Sequence, residues 1–330
     1  MQRLVLDSLG PESRFHLEEA PSEPLGANEV RIAVRAAGIN PVDTKIRADV
    51  HGDIANAPTV LGCDVAGDVI DVGAAVRGFA PGDKVYGCAG GLTGRDGSYA
   101  SEMRADHRLL AKMPANLSYR EAAALPLVTI TAWEALIERA KVQPGERVLV
   151  HGAAGGVGHV GVQLAHLAGA IVDATASSPA KAVIARDLGA AETIDYRATP
   201  VADYVAARTG GAGYDVVFDT IGGANIAPSL AAVGTNGRVA TIVARNIAPD
   251  LSPLMPRNAT LHVVFMLVPM LRDRDLERHG EILARAARLV EAGRLKPLLD
   301  PERFTLTQAE AAHAKLLSGE AVGKLVLDIA

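Results

Sequence analysis

The 330-residue chain has only two cysteines, Cys63 and Cys88, too few for a disulfide framework or a four-thiolate metal site. Aromatic residues make up 4%, so the core has to come from Ala, Val, Leu and Ile. There is no basic excess: 33 Lys plus Arg stand against 38 Asp plus Glu, a formal net charge of −5, which argues against a nucleic-acid partner. Long apolar runs are missing too. The run 263–271 is interrupted by Pro269, whereas a spanning helix needs about 20 apolar residues, so no membrane partner is expected. Asp7 stands where a secretory signal would be apolar, and a cytoplasmic location is expected.

What is there is typical of a folded chain. Apolar residues make up 49% and charged residues 22%, near the globular average. At roughly 100–200 residues per domain the length suggests two domains. Up to about residue 119, short apolar runs (30–36, 65–72, 84–87) are broken by Gly, Pro and Asp, including the turn Pro81-Gly82-Asp83, which suggests a β-rich, barrel-like unit. From about 121 to 270, apolar strand-like runs alternate with Ala-rich helical runs, the pattern of βαβ units and a parallel sheet. Residues 276–292 read as one amphipathic helix ended by Gly293, and 323–329 as a final strand. Two elements are too few for a domain. They are expected to rejoin the first unit, giving residues 1–125 completed by 271–330, with 126–270 between.

The strongest local signal is Arg147-Val148-Leu149-Val150-His151-Gly152-Ala153-Ala154-Gly155-Gly156-Val157-Gly158, an apolar strand running into a glycine turn and an Ala-rich helix. Glycines let a backbone approach a pyrophosphate, and the free N–H groups of the helix start meet its charge. Against G-x-G-x-x-G the first position is Ala153, while Gly155 and Gly158 fill the second and third. The next strand-like run, 171–176, ends in Ala176 followed by Ser177, Ser178 and Lys181, with no Asp or Glu to hold two ribose hydroxyls. A carboxylate there would repel a 2′-phosphate; two hydroxyls and an ammonium favour one. NADPH is therefore the expected cofactor. Asp173 lies three residues too early for ribose binding. Ligands in such sheets lie beyond the carboxyl ends of the strands, which brings Thr220, Gly222, Ala244 and Arg245 near the cofactor.

These motifs, with Leu127-Val128-Thr129-Ile130-Thr131-Ala132-Trp133 and Gly189-Ala190 on either side, Ile194-Asp195-Tyr196-Arg197 beyond, and Ala36-Ala37-Gly38-Ile39-Asn40-Pro41-Val42-Asp43 upstream, resemble the medium-chain dehydrogenase/reductase superfamily, specifically its zinc-free quinone oxidoreductase branch. The resemblance runs nearly end to end. It implies an α/β protein, a GroES-like β-barrel catalytic domain plus a doubly wound Rossmann domain, that binds NADPH and forms a homodimer through the Rossmann domain, with 263–271 a candidate edge. It also implies roles for individual residues. Thr131 matches the threonine near the nicotinamide carboxamide. Gly155, Gly156, Val157 and Gly158 match the pyrophosphate loop, and Ser177, Lys181 and Tyr196 match positions that hold the phosphorylated ribose. Asn40 and Asp43 match polar positions facing the nicotinamide, and Gly323-Lys324 a C-terminal cofactor contact.

Zinc-dependent relatives use Cys, His and Cys at the catalytic ion. Here those positions are Asn40, Cys63 within Gly62-Cys63-Asp64, and the neighbourhood of Leu127, and the four-Cys lobe is absent, so no metal site is expected. Cys63 is expected to be a small buried residue. Zinc helps an alcohol lose its proton. Without it, hydride delivery to a good acceptor remains, which points to a quinone or an α,β-unsaturated carbonyl as substrate. Tyr86 is a candidate proton donor, with a half-buried core tyrosine as the alternative. His151 and His159 read as structural or merely near the cofactor. Substrate-lining stretches are expected near 46–56, 88–95 and 251–267, with 92–97 a glycine-rich loop. The rival functions are a zinc alcohol dehydrogenase and an NADPH-binding relative with a crystallin or adaptor role. An enoyl reductase module of a larger synthase is disfavoured, because the family pattern is matched at both ends.

Overall fold

The computed structural model describes residues 1–50, 58–245 and 247–330, so residues 51–56 of the expected substrate-lining stretch lie outside the described residues. The chain forms two units, Met1–Leu127 with Leu267–Ala330, and Val128–Met266.

The first unit is built on a seven-stranded sheet. Its spine is Glu29–Gly38, paired antiparallel with Asp64–Val72 on one side and Val326–Asp328 on the other. Lys84–Cys88 and Leu110–Lys112 continue the sheet outward, and Glu102–Asp106 pairs with the spine as well. Alternation along the spine is regular: Val30, Ile32 and Val34 are buried, while Arg31 and Ala33 are half-buried. The C-terminal strand registers Val326 against Gly38, so residues nearly three hundred positions apart complete one sheet. Gln2–Leu6 and Phe15–Glu19 form a separate antiparallel pair. Helix Glu277–Glu291 buries Ile282, Leu283, Ala286 and Val290 at helical spacing, and Gly293, at φ +68°, follows its end. Gly280 on that helix could not be larger, since a Cβ would lie 2.5 Å from the Arg108 carbonyl oxygen.

The second unit holds a six-stranded sheet in the spatial order Glu192–Asp195, Ile171–Ala176, Arg147–His151, Tyr214–Asp219, Val233–Thr241, Thr260–Val263. Every pair is parallel. In chain order this is 3-2-1-4-5-6, the doubly wound arrangement, and the direction of winding reverses between Arg147–His151 and Tyr214–Asp219. Central strands are apolar throughout, as Val148–Val150 and Val216–Phe218 are, because helices cover both faces of such a sheet. Among the described residues no helix is long and apolar enough to cross a membrane.

Candidate active site

The glycine loop of the second unit leaves Arg147–His151 at the reversal of the sheet and enters helix Gly158–Leu167. Gly152 turns the chain at φ +70°, and its carbonyl accepts from the Gly155 N–H at 2.9 Å. Gly158 has to lack a side chain, because a Cβ would lie 2.0 Å from the Gly152 oxygen. The residue before the helix, Val157, supplies no side-chain cap. The Gly155 carbonyl takes the His159 N–H at 3.1 Å, and the turn places the positive end of the helix dipole at the carboxyl end of the strand. Thr220 donates its hydroxyl to the His151 carbonyl at 2.6 Å, which joins the ends of the two central strands. Asp219 holds the turn that follows, accepting from the Ile221 and Gly222 N–H groups and from Asn225 Nδ2. His151 is buried and its pKa is depressed to about 4 by that burial, so the ring is neutral. Ala244 is half-buried beyond the end of Val233–Thr241.

At the end of the neighbouring strand, Ala176 is followed by Ser177 and by Ser178, whose hydroxyl caps helix Pro179–Asp187 through the Lys181 N–H at 3.3 Å. Asp195 pairs in register with Ala176, which brings Tyr196 and Arg197 to the same corner. Tyr196 is half-exposed. The Arg197 guanidinium donates to the Ser177 carbonyl at 3.3 Å and lies 5.8 Å from the Tyr196 ring centre. Sequence pattern alone gives Arg197 no role; its place beside Tyr196 in the motif is the one signal. The corner also holds an acid, the exposed Asp195, which accepts from the Arg197 N–H. Asp173, by contrast, is inside the sheet. It accepts from the Tyr214 hydroxyl at 2.9 Å and lies 3.6 Å from Arg147, and it is not a ribose ligand. Thr131 is nearly buried in helix Pro126–Trp133, which runs on into a π-helical turn over Glu134–Arg139.

In the first unit Asn40, Asp43 and Lys324 meet in one buried chamber with Cys63 and Asp64. Asn40 opens helix Pro41–Arg47, and Asp43 reaches back to accept from its N–H at 2.8 Å. The Asn40 amide nitrogen donates to Asp64 Oδ2 at 2.9 Å, and Asp64 Oδ1 accepts from the Leu127 N–H at 2.8 Å. Burial raises the pKa of Asp43 to about 7, and it raises that of Asp64 against the pull of the Lys324 ammonium. Cys63 donates to Asp43 at 3.7 Å, and its thiol is pushed up by hydrogen bonding to Cys88 and by burial. A cofactor contact was expected at Gly323-Lys324; the Lys324 side chain points inward, 3% exposed, and donates to Ile39 O at 2.7 Å, Asn40 Oδ1 at 2.5 Å and Asp64 Oδ2 at 3.4 Å. An ammonium has three N–H groups, and three acceptors surround this one.

Tyr86 is likewise a core residue. It is fully buried, with its hydroxyl donated to the Leu283 carbonyl at 2.7 Å, and burial raises its pKa far above the ordinary value. It offers no proton to a ligand. The 92–97 loop is tied down by Arg95, which donates to the Met270 carbonyl at 3.1 Å and to Asp273 at 2.6 Å.

Residues 26–115 match the alcohol dehydrogenase GroES-like domain family, and residues 188–327 match the zinc-binding dehydrogenase family. An alcohol dehydrogenase superfamily protein from Novosphingobium aromaticivorans is 37% identical, with a TM-score of 0.95 and complete coverage of both chains. The chain belongs to the medium-chain dehydrogenase/reductase superfamily. The Escherichia coli quinone oxidoreductase complexed with NADPH is similar at 26% identity and a TM-score of 0.87, over 99% of this chain and 100% of that one. Among curated relatives, the spectinabilin polyketide synthase system protein NorB of Streptomyces orinoci is 38% identical over 305 residues, which are 92% of this chain and 13% of that protein. The chain thus spans about an eighth of that relative's length.

As a member of this superfamily, in its quinone oxidoreductase-like branch, the chain is an oxidoreductase with a GroES-like unit and a Rossmann unit that binds a nicotinamide cofactor. The glycine loop fits such a group, for Gly152 and Gly158 hold a turn that side chains would fill and no side chain caps the helix start. A catalytic zinc does not fit. Of the three ligand positions, Asn40 is bonded to Lys324 and Asp64, Cys63 is a protonated thiol on Asp43, and Leu127 offers no donor atom in its side chain. Among the described residues no group of three or more His, Cys, Asp or Glu side chains is arranged to hold a metal ion.

Proposed function

We propose that the protein reduces a quinone or an α,β-unsaturated carbonyl with NADPH and without catalytic zinc. The observation that carries this reading is the corner at the end of Ile171–Ala176. The Arg197 guanidinium meets the Ser177 carbonyl there, Lys181 stands in the first turn of the adjoining helix, and the strand itself ends in Ala176, the nearby Asp195 being turned to the Arg197 N–H. Hydroxyls and two cations favour a 2′-phosphate, and Tyr196 presents a half-exposed ring beside them for the adenosine end.

When bound, NADPH supplies the hydride. The chain's part is to bind, orient and exclude. Gly156, Val157 and Gly158 offer main-chain N–H groups to the pyrophosphate, and Gly155, whose N–H is held by the Gly152 carbonyl, lets it approach without a side chain in the way. Thr220 and Ala244, at the carboxyl ends of the next two strands, line the cofactor. Thr131 orients the nicotinamide carboxamide. Asn40 and Asp43 order the acceptor side, with the Asn40 amide locked by its two hydrogen bonds. A quinone or conjugated alkene suits this set because such an acceptor takes a hydride without a metal to polarise it, so that positioning supplies most of the rate. Tyr86 supplies no proton.

The protein is read as cytoplasmic and homodimeric. The strand Thr260–Val263 lies at the edge of its sheet, with Val263 exposed, and suits pairing with a second copy. The test is direct: protein is mixed with NADPH and a panel of quinones and enones, and NADPH oxidation is followed by its absorbance. Turnover with at least one acceptor and no metal requirement is expected. Failure with every acceptor, in protein verified to be metal-free and to bind NADPH, would favour a non-catalytic role.

A further inference from the structure

The chamber of the first unit is built around a charge. Lys324, Asp43 and Asp64 are all buried, and an unpaired ion at such a depth costs several kcal/mol. The lysine comes from the turn before the last strand, where Gly323 at φ +67° passes so close to Leu298 that a Cβ would lie 2.2 Å from its carbonyl oxygen. This tight passage sets where the side chain enters. Its ammonium then meets a main-chain carbonyl, a side-chain amide oxygen and a carboxylate, at Ile39, Asn40 and Asp64. Asp64 in turn holds the Asn40 amide nitrogen and the Leu127 N–H. Residues 39–40, 64, 127 and 324 are thereby joined through one cation and its counter-ion.

We infer that the Lys324 ammonium is the built-in cation of this buried cluster, held by three oxygen ligands, and that it acts as a positioning residue for Asn40. The two bonds of the Asn40 amide run in opposite senses, its oxygen to the ammonium and its nitrogen to the carboxylate. Only one orientation of the amide satisfies both, so the charge pair sets which way Asn40 faces. Asp43 and Cys63 complete the lining without adding a second cation site, because Cys63 gives its proton to a hydrogen bond with Asp43. A divalent ion would have to displace Nζ from the same oxygens.

The inference is independent of which acceptor the enzyme reduces, and its readouts are stability and metal uptake rather than turnover. In the full chain, Lys324→Ala and Lys324→Met are compared with wild type by thermal unfolding. Both are expected to unfold at lower temperature. Lys324→Met keeps the bulk and loses the charge, so a deficit in it reports the cation. Propylammonium chloride is expected to restore much of the Lys324→Ala deficit, while 1-propanol and sodium chloride at matched concentration leave it. If Lys324→Ala is recovered only by refolding, the yield with propylammonium against 1-propanol gives the same comparison. Adding Asp64→Asn to Lys324→Met should shrink the deficit, since the uncompensated carboxylate is then gone. Wild-type protein incubated with Co²⁺ and desalted should show no thiolate-to-cobalt absorption. The inference is overturned if Lys324→Met is as stable as wild type, if 1-propanol rescues as well as propylammonium, or if wild type retains an equivalent of thiolate-bound cobalt.

Discussion

The Arg197 guanidinium donates to the Ser177 carbonyl, Nη1 to O 3.3 Å, and so holds a cation at the carboxyl end of strand Ile171–Ala176. In a site made for two free ribose hydroxyls a carboxylate occupies that end. Lys181, in the first turn of the helix that Ser178 caps, adds a second positive charge.

Removing either charge should therefore separate the two coenzymes. Charge-assisted hydrogen bonds contribute about 1.5–3 kcal/mol, so Lys181→Ala is expected to weaken NADPH by roughly ten- to a hundredfold and NADH very little. Arg197→Ala should act in the same direction. Fluorescence titration of each reduced coenzyme measures this, and equal losses for both would mean that the phosphate does not sit at this corner.

Two glycines of the phosphate loop should fail differently. A Cβ at Gly158 meets the Gly152 carbonyl at 2.0 Å, and main chain has little room to give, so Gly158→Ala should cost roughly 1–3 kcal/mol of stability as well as cofactor binding. At Gly155 the nearest atom is that same oxygen at 3.1 Å, so Gly155→Ala should fold nearly normally and lose affinity because the methyl group stands where the pyrophosphate approaches. Urea unfolding paired with NADPH titration distinguishes the two.

Tyr86→Phe removes the hydroxyl's bond to the Leu283 carbonyl, which keeps its place in the ladder of helix Glu277–Glu291. A stability loss of about 0.5–1.5 kcal/mol is expected with the turnover number unchanged at every pH. A variant of normal stability whose turnover falls would restore Tyr86 as a proton donor.

Asp43 should make stability depend on pH. Its folded pKa is raised from 3.8 to about 7 by burial, so folding favours the protonated acid. The contribution is fully present below the unfolded pKa and is lost as pH rises through the folded one. Between pH 5 and pH 8 wild type should lose roughly 2–3 kcal/mol relative to Asp43→Asn, because each pH step of one between the two pKa values costs about 1.4 kcal/mol. Denaturant unfolding of both proteins at the two pH values checks it, and parallel pH profiles would show that Asp43 does not titrate in this range.

Much of the architecture is visible in the pattern of residues. The alternation of apolar runs with Ala-rich helical runs announces a parallel sheet, and Gly155 with Gly158 marks its first turn, because both follow from local periodicity and backbone conformation. The site is less legible. The contacts of Asn40 span 24 residues to Asp64 and 284 to Lys324, and nothing in either segment's periodicity announces the other. The inward course of Lys324 was invisible for the same reason, as a lysine at a strand entry is normally solvated. Tyr86 read as a possible acid because its partner, Leu283, lies 197 residues away.

By itself the sequence determined the alternation of strands and helices in the second unit, where a glycine turn follows its first strand and that no acid ends the second strand of the wind, since each is a matter of neighbouring residues. Only the tertiary structure decided that Arg197 joins the corner of Ser177, and that a lysine from the turn before the last strand closes a buried cluster with Asn40 and Asp64. Buried charge is the physical reason: its cost and its compensation depend on which groups surround it in space, and chain order does not carry that information.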